Sequence, residues 1–215
     1  MISELIEVLI YLGKGALVSL QLFSITLLFS FPLALILMFI YKNNKFLNKV
    51  IKGYTWLFRG TPLMLQLFFF MFGLPIFGIR LDRMMVAYVG FILNYAAYFT
   101  EIIRAGIESL PSDQEESGQV MGATQFQIYR YIILPQAIRK EIPTITNEVI
   151  TLIKDTALVT VIAISELLRN MKEVVSRDFT IYPFFLAALF YLFFSYIIIK
   201  VFRWIEKRYS SPQMT

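Results

Sequence analysis

The chain has 215 residues, of which 58% are hydrophobic and only 16% charged, and it contains neither cysteine nor histidine. A soluble domain is roughly half apolar and a quarter charged, so this balance indicates a membrane protein; thiol and imidazole catalysis, disulfides, and zinc and haem sites lack their usual ligands, and no metal site is expected. The net charge of +5 is spread among apolar runs and forms no basic amphipathic face, which argues against nucleic acid as a partner.

The length suits one membrane domain over 1–215, because five crossings of about 20 residues each, plus loops, consume it. The N-terminal stretch carries Glu4 and Glu7 where a signal peptide would be positive. Its Ile2, Leu5, Ile6, Leu9 and Ile10 recur with helical spacing, which predicts a short helix along the outer interface. Uncharged runs at 15–41, 60–79, 84–100 and 179–199 predict spans at 15–41, 54–79, 84–100 and 179–199. A fifth candidate, 142–165, is long enough but carries Glu148, Lys154 and Asp155. With all five crossing, twelve Lys and Arg fall on one side and six on the other. Four of the twelve, Lys42, Lys45, Lys49 and Lys52, share one short loop, so the N terminus is expected outside and the C terminus in the cytosol. The aromatic content reads as lipid-facing and interfacial filler.

The one long polar stretch, 101–141, reads as ordered helix. Ser112 with Glu115, and Thr124 with Gln127, have capping-box spacing, predicting two helices with a break near Gly122. The second, 125–134, carries Phe126, Ile128, Tyr129, Ile132 and Ile133 before Pro135 ends it. That apolar surface must pack on something, either the chain's own cytoplasmic face or a partner.

The spacing Glu116-Ser117-Gly118, three residues, Gly122, nine residues, Ile132-Ile133-Leu134-Pro135 resembles the E-A-A-x3-G-x9-I-x-L-P loop of bacterial ABC importer permeases. Arg59-Gly60-Thr61-Pro62 with Gln66, Ala97-Tyr98 with Glu101-Ile102-Ile103-Arg104-Ala105-Gly106-Ile107, and Asn147 with Lys154-Asp155-Thr156-Ala157-Leu158 resemble other stretches of the polar amino-acid permeases. The resemblance covers about 54–168. Ser117 and Gly118 replace the usual alanines and Asp113 a common glycine. It implies an all-α integral membrane fold of the type I importer permease, with five transmembrane helices, the short interfacial helix and a cytoplasmic coupling helix within 108–135. In such permeases that helix sits in a groove of a cytoplasmic ATPase. Glu116, Ser117, Gly118, Gly122, Phe126, Ile132, Leu134 and Pro135 are the matching coupling residues. It further implies a bacterial cytoplasmic membrane, a second permease chain (identical or a sister), an ATP-binding subunit dimer that holds ATP and Mg, and an extracytoplasmic amino-acid-binding protein. The chain has no G-x4-G-K-[S/T] phosphate loop, so it is not expected to be an enzyme or to hold a cofactor.

Ionisable groups inside a span cost about 2.5 to 3.5 kcal/mol each on insertion scales and face a cavity or a partner. Glu148 and Asp155, seven residues apart, share a helical face with Thr144 and Thr151, while Lys154 projects about 100° away from Asp155. One reading pairs these carboxylates with Arg59 or Lys154 to hold the bundle together. The other makes them substrate-binding, with Thr151, Thr144, Asn147, Asn94 and Tyr98 as further lining residues, and favours a basic amino acid such as arginine as cargo. Arg59, Gly60, Thr61 and Pro62, at a break in helix regularity, are gate or structural candidates. An ion-coupled secondary transporter is the alternative, since intramembrane carboxylates suit ion sites, but an odd span count and the lack of inverted halves speak against it. A membrane hydrolase would need its two carboxylates closer than the roughly 10 Å that seven residues impose, and a pure scaffold leaves the acidic stripe without a role.

Overall fold

The structure, a computed structural model, describes residues 2–43 and 45–209; the side chains of Ile2, Lys42, Asn43, Lys45 and Tyr209 lie outside what is described. Every element among the described residues is helical. In chain order they are α1 (Ile2–Asn43), α2 (Lys45–Gly60), α3 (Leu63–Phe68), α4 (Arg83–Glu108), α5 (Asp113–Val120), α6 (Gln125–Ile128), α7 (Leu134–Asp155), α8 (Leu167–Asp178) and α9 (Tyr182–Tyr209). A π turn (Phe69–Gly73) and a 3-10 turn (Leu74–Phe77) extend α3, and a 3-10 stretch, Thr156–Ile162, extends α7.

Among the described residues, three helices are long and apolar enough to cross a membrane: Ser3–Tyr41, Arg83–Glu108 and Tyr182–Arg208. A fourth crossing is available from Phe46–Gly60 with Leu63–Phe77, a pair bent by 103°. The expected span at 54–79 is therefore broken at Thr61-Pro62, where the sequence places an irregularity. The expected span at 142–165 starts earlier, as α7, and leaves α-helix at Asp155 for the 3-10 stretch; its three charges keep it out of the apolar set.

The separate interfacial helix is absent, because residues 2–14 are the first turns of α1. No breaker separates them from the span, and Val8, Leu12 and Ala16 pack on Leu167, Met171 and Val174 of α8. Leu5, Ile6, Leu9 and Ile10 form the exposed opposite face. The junction is also polar: Asn170 Nδ2 donates to Tyr11 O at 2.9 Å, and the Tyr11 hydroxyl donates to Glu173. That hydroxyl, with Arg169, holds the Glu173 carboxyl below the usual carboxylate range.

Helix α4 is the centre of the bundle. Asp82 caps it, accepting from Met84 N and Met85 N. Its Val86, Ala87, Phe91, Tyr95, Phe99 and Ile103 meet Leu22, Ala34 and Met38 of α1, Leu63 and Leu67 of α3, and Ile145, Val149 and Leu152 of α7. In lipid, helices associate through close van der Waals contact at small residues more than through the hydrophobic effect. Gly106 supplies such a contact, since a Cβ there would lie 2.9 Å from the Ala137 carbonyl oxygen and 2.8 Å from Glu141 Cγ. A Gly106→Val substitution is expected to push α4 from α7 and to cost about 1–3 kcal/mol by overpacking. The check is the thermal unfolding midpoint of the detergent-solubilised protein; an unchanged midpoint refutes the close-approach argument.

Candidate functional site: a polar cavity at a broken helix

Proline 62 has no amide hydrogen, so the Phe58 carbonyl four residues earlier loses its helical partner, and the bend removes the next partners as well. Side chains replace them. Gln66 Nε2 donates to Phe58 O at 2.9 Å, Thr61 O at 3.1 Å and Thr61 Oγ1 at 2.8 Å. Asn94 Nδ2 on α4 donates to Phe58 O at 3.1 Å and to Gln66 Oε1 at 3.0 Å, and Thr61 Oγ1 donates to Leu57 O at 2.8 Å. An orphaned backbone carbonyl in a bilayer is costly, and these two buried amides meet that demand.

The break forms one wall of a cavity of about 470 Å³ lined by Arg59, Gly60, Thr61, Pro62 and Leu63, by Asn94, Tyr95 and Tyr98 of α4, and by Glu148, Thr151, Asp155 and Leu158. Of the residues expected to bind substrate, Glu148, Asp155, Thr151, Asn94 and Tyr98 are thus brought together, with all four gate candidates. Thr144 and Asn147 are exposed and outside the lining. Tyr95 also lines the cavity, and its hydroxyl donates to Asp155 Oδ2 at 2.8 Å; it lies three residues before Tyr98, on the same face of α4.

Neither Glu148 nor Asp155 forms an ion pair among the described residues, so the expected pairing with Arg59 or Lys154 is not what holds the bundle. Lys154 is exposed. Arg59 instead reaches Glu101 Oε2 at 3.4 Å and lies over the Tyr98 ring, 5.4 Å from its centroid. Glu101 also accepts from Thr55 at 3.0 Å and from Arg104 at 2.7 and 3.0 Å, and Arg104 binds Glu108 at 2.6 Å. Arg59, the one cation in this lining among the described residues, is thereby engaged by a carboxylate from outside the cavity.

The polar loop is as ordered as its sequence suggests, with two differences. The Thr124–Gln127 capping box forms, but Ser112 adopts helical angles and its side chain caps nothing. Pro135 does not end the second helix: α6, a π turn (Tyr129–Ile133) and α7 run on without a break. Proline is tolerated in a first helical turn, the π turn accommodates the irregularity, and Gln136 Nε2 donates to Ile132 O at 2.9 Å. Gly122 provides the break with φ +77°.

Ile128, Tyr129 and Ile133 are buried within the chain, so much of the loop's apolar surface packs at home. Gly118 is buried against Ile128, whose Cγ1 would lie 2.8 Å from an added Cβ. Ile132, Leu134 and Pro135 are half-buried, while Glu116, Ser117 and Phe126 are exposed, with Phe126 edge-on to Phe39 at 5.4 Å. The residues the sequence reading missed are Val120 and Met121, 89% and 88% exposed at the α5 tip. Two consecutive bare apolar residues before the glycine turn were the available signal.

An all-helical membrane bundle with a polar intramembrane cavity and a stiff loop outside it defines a solute-conducting subunit. The chain belongs to the family of binding-protein-dependent transport system inner membrane components, whose pattern matches residues 28–211. It is 32% identical over 203 residues to the putative glutamine transport system permease protein GlnP of Rickettsia felis, covering 93% of each chain. To the arginine transport system permease protein ArtQ of Bacillus subtilis it is 37% identical over 160 residues, 74% of this chain and 73% of that one. A chain of an amino acid ABC transporter crystallised with histidines superposes with a TM-score of 0.85 at 28% identity, over 95% of this chain and 97% of that one. The MetNI methionine ABC transporter in an inward-facing form shares the fold, with a TM-score of 0.79 at 18% identity. The chain is therefore a type I ABC importer permease in fold and a transport component, whose ATPase is a separate subunit.

Gln66→Leu removes a buried donor from two carbonyls and is expected to cost about 1–3 kcal/mol, read as a lower unfolding midpoint. A midpoint equal to wild type would show that Asn94 alone sustains the break.

Proposed function

We propose that this chain is the permease subunit of an ATP-driven importer for basic amino acids, crossing the bilayer five times with the N terminus outside and the C terminus in the cytosol. Two permease chains, identical or paired with a sister, stand on an ATP-binding subunit dimer that holds ATP and Mg. An extracytoplasmic amino-acid-binding protein delivers the cargo. Five crossings follow when α7 with its 3-10 extension counts as a span, and the lysine and arginine bias supports the orientation.

The observation that carries the cargo assignment is the cavity's charge. Glu148 and Asp155 line it together, and Arg59 is drawn to Glu101, so a cationic side chain finds two carboxylates and little repulsion. The wall hydroxyls of Thr61, Thr151 and Tyr98 add neutral partners. The relatives include permeases of arginine, glutamine and L-cystine systems, all α-amino acids, and within that group the cavity favours arginine over glutamine.

The test is uptake into vesicles carrying the whole transporter. Glu148→Gln is expected to lower arginine uptake about tenfold or more, since a charge-assisted contact contributes about 1.5–3 kcal/mol, with a smaller effect on glutamine. Unchanged arginine uptake, or an equal fall for both substrates, overturns the basic-cargo reading.

For coupling, the exposed α5 end is the part of the loop left for an ATPase groove: Glu116 and Ser117 on its side, Val120 and Met121 at its tip. Glu116→Lys and Met121→Asp are each expected to cut transport-stimulated ATP turnover at least fivefold while the permease still folds and inserts. Full ATP turnover in both variants would place the contact elsewhere.

A further inference from the structure

An apolar trough runs along the seam between α1 and α7, on a different side of α7 from the polar cavity. Its inner part, about 560 Å³, is lined by Leu27, Leu28, Phe31 and Pro32 of α1, by Ile142 and Ile145 of α7, and by Phe202 and Ile205 of α9, with Arg139 at one end. Its continuation, about 510 Å³, passes Leu35, Ile36 and Phe39 of α1 and ends at Phe126 and Arg130. Pro135 and Ile138 line both parts. The seam is open where two helix irregularities face each other, Pro32 inside α1 and Pro135 after the π turn.

We propose that this trough binds an anionic phospholipid of the cytoplasmic leaflet, with an acyl chain along Leu28, Phe31 and Ile142 and the phosphate between Arg139 and Arg130. Three observations choose that occupant over a second protein chain. First, the trough is continuous with the lipid-facing side of α9, where Phe193, Ile197, Val201 and Trp204 are exposed. Second, polarity is confined to the side of Pro135: both arginines are exposed, Arg139 directly after Ile138 and Arg130 at the end of the continuation, whereas the part near Leu27 and Ile145 has no polar side chain. Third, α9 carries Arg208 over Trp204 at 5.4 Å, one turn beyond the trough-lining Ile205, an aromatic and basic pair of the kind found at membrane interfaces. Basic pockets between transmembrane helices on the cytoplasmic side recognise anionic headgroups.

The proposal relies on the orientation above for the choice of leaflet only; lipid retention would be seen with either orientation, so failure of the one is distinguishable from failure of the other. The whole transporter, in detergent, is titrated with phosphatidylglycerol and with phosphatidylcholine of the same acyl chains, and bound lipid is counted by native mass spectrometry. Wild type is expected to retain phosphatidylglycerol preferentially. Arg130→Gln and Arg139→Gln each lower that retention about fivefold, and Leu28→Trp, at an exposed position that fills the trough, lowers retention of both lipids. Equal retention of the two lipids by wild type, retention unchanged in the variants, or capture of a second permease chain by a photo-crosslinker at position 28 overturns the proposal.

Discussion

The amide hydrogen that Pro62 lacks is the constraint on which the site depends. Without it the Phe58 carbonyl cannot be satisfied along the helix, and in a bilayer water is not there to take over. Two side-chain amides from different helices resolve this, Gln66 from beyond the break and Asn94 from α4, and they bond each other as well. The bend of 103° is therefore held by a specific network. Because one of its two amides sits on α4, the break is fixed against the helix that also carries Tyr95 and Tyr98. The cavity wall inherits its rigidity from that arrangement.

A second consequence concerns charge. Placing two carboxylates in a span costs several kcal/mol on insertion scales, which an all-apolar α7 would avoid. The cost is partly met by the Tyr95 hydroxyl on Asp155 and by the polar cavity, but neither carboxylate is neutralised by a cation among the described residues. Arg59, the group placed to do so, is held by Glu101, which Arg104 and Thr55 secure from behind. Were Arg59 to swing toward Glu148, Glu101 would keep its Arg104 contacts, so the arginine is the more loosely held member of the set.

The legible parts of this fold were those set by composition. Uncharged runs located the membrane helices α1, α4 and α9, and the Thr124–Gln127 spacing predicted a capping box that forms, because Thr124 is extended there. The Ser112 spacing is equally good, but Ser112 is already helical and its hydroxyl cannot reach back, a backbone detail no spacing encodes. Pro135 read as a stop because the π turn before it is invisible in sequence. At the site, the periodicity that joined Glu148, Thr151 and Asp155 also joined Thr144. Sharing a face is not sharing a level, however, and Thr144 lies one turn, about 6 Å, before the cavity begins. Gln66 and Asn94 read as polar lining or motif residues, whereas the missing amide of Pro62 makes them structural.

The polar loop is tied to the helices that carry the cavity. Gln136 at the start of α7 donates to Gln114 at 2.7 Å, Tyr129 donates to Glu115 at 3.1 Å, and Lys140 donates to the Ser109 carbonyl at the end of α4 at 3.1 Å. Gly106 lets α4 and α7 touch at nearly the same level. Residues 109–136 thus cannot be displaced as a unit without moving the adjoining ends of α4 and α7, which carry Tyr95 and Tyr98 near the middle of α4 and Glu148 and Asp155 in the far half of α7. The Arg59–Glu101–Arg104–Glu108 series runs along the same stretch of α4. A displacement of the exposed α5 tip is therefore transmitted to the cavity through packed helices and short polar contacts.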